Sequence, residues 1–124
     1  MASHALRVLI VGCGNIAGGF DVGSGESGFP LTHAGAYARH PHFQTTACME
    51  PDQERRQAFM AHWGVASGYS SFEELAGHTG ALDVISICSP TAEHGNHLQH
   101  ALALRPLAIF CEKPVTPNAA ITAH

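Results

Sequence analysis

Lysine occurs once in this chain, at Lys113, and only six of the 124 residues are Lys or Arg. These six are scattered, so no positive track exists for a nucleic-acid backbone or an anionic membrane to follow. Charge of either sign is scarce, 13% of residues with a formal net of -4, while hydrophobic residues reach 45%. That balance argues against disorder and suits a sheet covered by helices on both faces. No run approaches the ~20 apolar residues of a membrane span, and Met1 to His4 leads into a strand without a secretory core. Cys13, Cys48, Cys88 and Cys111 form no CxxC pair, and each falls in or at the end of an apolar run. They are expected as buried free thiols in a reducing compartment, and the chain as cytoplasmic.

What is present alternates. Strand-like runs are expected at Leu6 to Val11, Phe43 to Met49, Asp83 to Cys88 and Leu107 to Cys111, with a short one near Val65 to Tyr69. Helical patterns lie between them, at Leu31 to Arg39, Asp52 to Trp63, Ser71 to His78 and Thr91 to Leu104. Ser70 with Glu73 has the spacing of a capping box, and Thr91 follows a proline as a cap candidate. Strands alternating with helices pair in parallel through right-handed crossovers, giving an α/β, doubly wound sheet of Rossmann type as a single domain. Near-continuous apolar strands such as Val84-Ile85-Ser86-Ile87-Cys88 agree, because parallel strands are buried on both faces.

Two segments break the alternation. Asp21 to Pro30 carries three glycines without periodicity and is expected as a mobile loop, either plain surface or a flap over a bound ligand. Thr116-Pro117-Asn118 begins a helix that the chain leaves at His124. So short a helix is marginal alone, so residues 1-124 are expected to be one dinucleotide-binding domain cut from a longer protein at the helix near 117–124.

The chemistry gathers where strands end. Leu6 to Val11 runs into Gly12-Cys13-Gly14-Asn15-Ile16-Ala17, a dinucleotide fingerprint with alanine in the third glycine position. Gly12 permits the tight turn, Gly14 lets backbone approach a pyrophosphate, and small Ala17 lets helix and strand pack closely. Glu50 follows the second strand. A carboxylate there accepts hydrogen bonds from both ribose hydroxyls and repels a 2′-phosphate, which favours NAD over NADP; Arg55 or Arg56 pull the other way. In an open α/β sheet, ligands collect beyond the carboxyl ends of the strands, so Lys113, after the run Pro106 to Phe110, can face the same crevice. A partly desolvated ammonium has a lowered pKa, which helps its amine take or share a proton from a hydroxyl, with Glu112 holding it in place. Otherwise Lys113 and Glu112 are a surface pair. The ten histidines suggest no metal: His94, His97 and His100 advance about 300° per step and are expected to spread around the helix.

Four motifs in order carry a resemblance to the family of glucose-fructose oxidoreductase, inositol dehydrogenase and the rhizopine catabolism protein MocA. They are Gly12 to Ala17, Thr32-His33 opening a helix, Ser89-Pro90-Thr91-Ala92-Glu93-His94, and Glu112-Lys113-Pro114. The resemblance covers essentially the whole chain, as the family's amino-terminal cofactor domain. It implies an oxidoreductase that moves hydride between a nicotinamide cofactor and a secondary alcohol of a sugar, cyclitol or sugar derivative. Cofactor contacts then fall to Gly12, Gly14, Asn15, Ile16, Glu50, Ser89, Thr91, His94 and Glu112, and proton transfer to Lys113. It also implies a sugar-like small-molecule substrate and a homo-oligomer for the full-length protein. This chain departs from the family pattern at Ala17, at Glu50 in place of the commoner aspartate, and in the Asp21 to Pro30 insertion. A dinucleotide-binding regulatory module without turnover is the competing expectation.

Overall fold

Strand β1, Leu6–Val11, carries the most deeply buried run of the chain and pairs on both sides. The computed structural model describes residues 5–14, 17–18, 32–77, 80 and 82–111. The remaining elements in chain order are α1 (His33–Ala38), β2 (Phe43–Met49), α2 (Gln53–Trp63), β3 (Ser67–Tyr69), α3 (Phe72–Ala76), β4 (Val84–Ile87), α4 (His94–Ala103) and β5 (Ala108–Cys111). All strand pairs are parallel, in the order β3-β2-β1-β4-β5. The chain therefore starts at the sheet centre, builds outward through β2 and β3, and crosses back to β4. This is the doubly wound, Rossmann-like arrangement that the alternation of elements predicts.

Strand alternation divides the core in two. Val8 and Ile10 of β1, Cys48 of β2 and Val84 of β4 pack with Ala34 and Phe59 from α1 and α2. Leu9 and Val11, Met49, Ile85 and Ile87 pack on the other face with Phe72, Leu75 and Ala101 from α3 and α4. Each such side chain stabilises the fold by about 1.5 to 3 kcal/mol relative to exposure. Ser86 is the one polar residue in β4, fully buried, and its hydroxyl is satisfied by Tyr37 at 2.5 Å. Thr46 is an extra residue in β2, since Val8 pairs with Thr45 and Leu9 with Ala47.

Helix ends correct two expectations. The α3 cap is Ser71, which accepts from Glu74 N at 3.2 Å, and Ser70 instead donates its hydroxyl to the Glu74 carboxylate at 2.9 Å. The capping pattern is real but sits one residue later than Ser70 and Glu73, because β3 runs to Tyr69 and the chain needs two residues to turn. Thr91 does not cap α4 either. Pro90 O accepts from Glu93 N at 2.9 Å, so the chain tightens at once into a 3-10 turn over Thr91–Glu93 and α4 begins at His94. Thr32 and Asp52 do cap their helices, accepting from Gly35 N and Arg55 N. None of the four cysteines is in a disulfide, and Cys13, Cys48 and Cys88 are buried. Among the described residues no helix is long and apolar enough to cross a membrane. The Asp21 to Pro30 segment and the helix near 117–124 lie outside the described residues.

Candidate dinucleotide site

The carboxyl ends of β1, β2 and β4 meet at the glycine turn. Gly12 follows β1 with φ of 88°, a left-handed conformation that glycine adopts without a Cβ penalty. Its N–H donates to Met49 O at 2.7 Å, and a Cβ on it would lie 2.7 Å from both the Cα and the N of Ser89. Contact between β1 and the β4 exit therefore requires glycine here twice over. Gly14 is different. Its φ is not positive, and a Cβ built on it meets nothing within 4 Å. Nothing among the described residues demands a glycine at position 14. Ala17 is fully buried and its carbonyl accepts from Ala34 N at 2.8 Å, so the small third residue does bring turn and α1 together.

Glu50 lies at the same edge, only 6% exposed. A carboxylate so buried must be bonded. One oxygen accepts from Cys13 N at 2.9 Å, the other from Asp52 N at 3.1 Å, and Arg55 Nη1 stands 3.9 Å away. Arg56 donates to the Glu50 carbonyl at 2.7 Å, so this arginine is occupied with backbone. Glu50 thus ties the β2 exit to the residue between the two glycines. The Cys13 side chain points down into the core, where its bond to Cys48 and burial push its thiol far above the usual range. At neutral pH it is an inert neutral group.

At the β4 exit, Ser89 is held by two histidines of α4. His94, 2% exposed, sets Nε2 2.6 Å from the Ser89 carbonyl, to which it donates. His97 Nδ1 lies 2.7 Å from the Ser89 hydroxyl. The His97 pKa is lowered by burial, with His100 and His94 acting in the same sense and Glu93 opposing. His97 and His100 both lie against the Phe72 ring, at 5.5 and 4.9 Å. This corrects the expectation that the three histidines spread around the helix: 300° forward is 60° back, so they form a slow spiral along one side.

Of the predicted site residues, Gly12, Gly14, Glu50, Ser89 and His94 come together at this edge. Thr91 opens the 3-10 turn beyond Ser89. Asn15, Ile16, Glu112 and Lys113 lie outside the described residues. His97 was not among the predicted contacts. Its position three residues after His94, one face over on the same helix, was the available signal.

The family model for the oxidoreductase family with an NAD-binding Rossmann fold matches residues 6–123. An uncharacterized oxidoreductase of Bacillus subtilis, YrbE, is 30% identical over 95 residues, 77% of this chain and 27% of that protein. Scyllo-inositol dehydrogenase from Lactobacillus casei, solved with NAD(H) and scyllo-inositol, is similar with a TM-score of 0.74 at 21% identity, over 97% of this chain and 31% of its own. KijD10, a 3-ketoreductase from Actinomadura kijaniata solved with TDP-benzene and NADP, reaches 0.76 at 19% identity, over 97% of this chain and 33% of its own. The chain thus spans about a third or less of the length of these relatives. Motif, topology and family model agree, and the chain belongs to the oxidoreductase family with an NAD-binding Rossmann fold.

Proposed function

We propose that this chain is the cofactor-binding part of an oxidoreductase that moves hydride between NAD and a secondary alcohol of a sugar, cyclitol or sugar derivative. The observation that carries the reading is the Glu50 carboxylate on Cys13 N–H, directly beside the open face of Gly14. That pairing supports NAD in preference to NADP: the acid accepts ribose hydroxyls, and a 2′-phosphate brought to it meets like charge. Arg56 is engaged with the Glu50 carbonyl, and Arg55 is more than half exposed, so neither counters the acid firmly. The inositol dehydrogenase with NAD(H) and the ketoreductase with NADP support a sugar-like or cyclitol substrate and leave the cofactor choice to the residues of this chain.

The residues divide the work. Gly12 and Gly14 shape the pyrophosphate turn with Asn15 and Ile16, Glu50 holds the ribose, and Ser89, Thr91 and His94 form the wall from β4. Bound nicotinamide supplies the hydride acceptor. Lys113, as the neutral amine, would take the hydroxyl proton on Nζ as hydride leaves the same carbon, and Glu112 would hold the ammonium so formed.

Calorimetric titration of NAD and NADP into wild type and Glu50→Ala tests the first half. Loss of charged hydrogen bonds lowers NAD affinity by about 1.5 to 3 kcal/mol and narrows the gap to NADP; equal NAD affinity in both proteins removes Glu50 from the site. For the second half, Lys113→Ala in the intact enzyme, assayed against polyols and sugars, lowers kcat by about 10²- to 10⁴-fold while changing the NAD dissociation constant far less. Unchanged kcat makes Lys113 structural.

A further inference from the structure

Cys13 and Cys48 meet beneath the glycine turn. Gly12 N–H donates to Met49 O at 2.7 Å, so Cys13 follows one end of that bond and Cys48 precedes the other. Both side chains enter the same buried cluster, and their thiols hydrogen-bond each other. Cys13 also lines a cavity of about 450 Å³ with Gly18, Phe59, His62 and Trp63, and it brings the only sulfur among the described lining residues. Cys48 is fully buried. We propose that Cys13 and Cys48 are a peroxide-sensitive pair, and that the disulfide between them weakens dinucleotide binding. The effect on binding rests on the dinucleotide reading of the site; the pairing of the two thiols does not.

Alone, the neutral Cys13 thiol is inert, and its reactivity comes from its partner. The S–H of Cys13 donates to the Cys48 sulfur, and this bond lowers the Cys48 pKa, with Arg56 acting in the same sense and burial and Glu50 opposing. Two thiols so joined lose one proton as a unit, and the remaining proton can pass along the hydrogen bond between the sulfurs. With that proton on Cys48, Cys13 presents a thiolate to the cavity. Hydrogen peroxide, small and uncharged, enters there. The Cys13 sulfur takes one oxygen as the O–O bond breaks, giving a sulfenic acid and hydroxide, and the hydroxide takes the Cys48 proton to become water. The Cys48 sulfur then displaces a second hydroxide from the sulfenic acid, and the S–S bond forms. Two electrons pass from the sulfurs to peroxide, and the products are the disulfide, one water and one hydroxide.

The sheet decides which end yields. Cys48 is paired on both sides, with Ile10 of β1 and Gly68 of β3, so its backbone is fixed. Cys13 belongs to the turn, where its N–H is held by the Glu50 side chain. A disulfide sets the sulfurs about 2 Å apart, well inside hydrogen-bonding separation, so closure draws Cys13 toward β2 and carries Gly14 with it. The backbone that a pyrophosphate would approach is thereby displaced.

The test treats the intact, reduced protein with hydrogen peroxide, removes the excess with catalase, and maps the thiols by alkylation and peptide mass spectrometry beside calorimetric titration of NAD. A linked peptide joining Cys13 to Cys48 is expected, with NAD affinity about tenfold or more below that of the reduced protein and restored by dithiothreitol. Cys48→Ala should give no linked peptide from Cys13 and bind NAD alike before and after peroxide. Cys13 and Cys48 both recovered as thiols, or either joined to Cys88 or Cys111 instead, overturns the proposal, as does a Cys13–Cys48 linkage that leaves NAD affinity unchanged. Reduced protein that binds neither NAD nor NADP overturns the dinucleotide reading, and the linked peptide still decides the thiol pair. The wild-type arms need no variant, so they settle the question even where Cys48→Ala fails to fold.

Discussion

Gly12 and Gly14 separate what the fold needs from what a ligand needs, and alanine at each position tells them apart. At Gly12, a Cβ would stand 2.7 Å from two backbone atoms of Ser89 while φ stays at 88°. The left-handed conformation costs a non-glycine residue about 1 to 2 kcal/mol, and forcing a methyl into packed backbone costs about 1 to 3 more. The sum, about 2 to 5 kcal/mol, is a large part of the stability of an ordinary domain, so Gly12→Ala is expected to lower the urea midpoint sharply. Gly14→Ala meets nothing within 4 Å and has no left-handed φ to strain. Loss of unfolded-state freedom even favours it, by up to about 1 kcal/mol. Its cost appears only when a pyrophosphate approaches the backbone: a methyl wedged there costs about 1 to 3 kcal/mol, a factor of about 5 to 150 in NAD affinity. Urea unfolding and NAD calorimetry on the same two variants read both quantities. Gly14→Ala with wild-type stability and wild-type NAD affinity would refute the claim that the open face at Gly14 is where the cofactor passes.

Two further outcomes follow from single residues. Arg105 ends α4 with φ of 54° and no glycine, so Arg105→Gly is expected to raise stability by about 0.5 to 1 kcal/mol in urea unfolding, the relief of strain exceeding the added chain entropy. His97 binds its proton less readily folded than unfolded, so its contribution is complete above about pH 6.5 and is lost as pH falls from there through the lowered folded value; urea midpoints measured from pH 8 to pH 5 should drop less in His97→Asn than in wild type.

The fold was legible where burial is two-sided. β1 and β2 begin and end at the expected residues, and their carboxyl-terminal stretches, Val8 to Val11 and Ala47 to Met49, are buried. β4 and β5 are one or two residues shorter than their runs, since the apolar residues at their ends, Cys88 and Leu107, continue the chain beyond the last paired residue. Helix starts were legible as residue types and not as positions. Whether Ser70 or Ser71 caps α3 depends on where β3 releases the chain, which is a pairing with β2 that local spacing does not encode. The site shows the same division. Gly12, Gly14 and Glu50 stood out because their chemistry is tied to strand ends. The Glu50 bond to Cys13 N–H joins residues 37 apart, and the Ser89 bond to His97 joins a turn to a helix, so both exist only once the sheet has formed.

Those tertiary bonds also explain why the crevice has its shape in a chain with so little charge. Three strand exits must be held in register at the glycine turn, and among the described residues ion pairs do little of it: Arg55 stands 3.9 Å from Glu50 and is more than half exposed. Instead a single carboxylate takes two backbone N–H groups, Gly12 lies in backbone contact with Ser89, and two histidines clasp that serine from α4. Hydrogen bonds to a charged acceptor contribute about 1.5 to 3 kcal/mol each where an exposed ion pair contributes under about 1, so the arrangement places its strongest contacts where movement would misplace the cofactor. Because Glu50 organises the turn besides being the proposed ribose acceptor, loss of NAD affinity in Glu50→Ala combines a missing contact with a loosened turn. The NADP arm of that titration separates them: a loosened pyrophosphate turn weakens both cofactors alike, whereas a missing ribose acceptor weakens NAD alone and removes the repulsion that NADP meets.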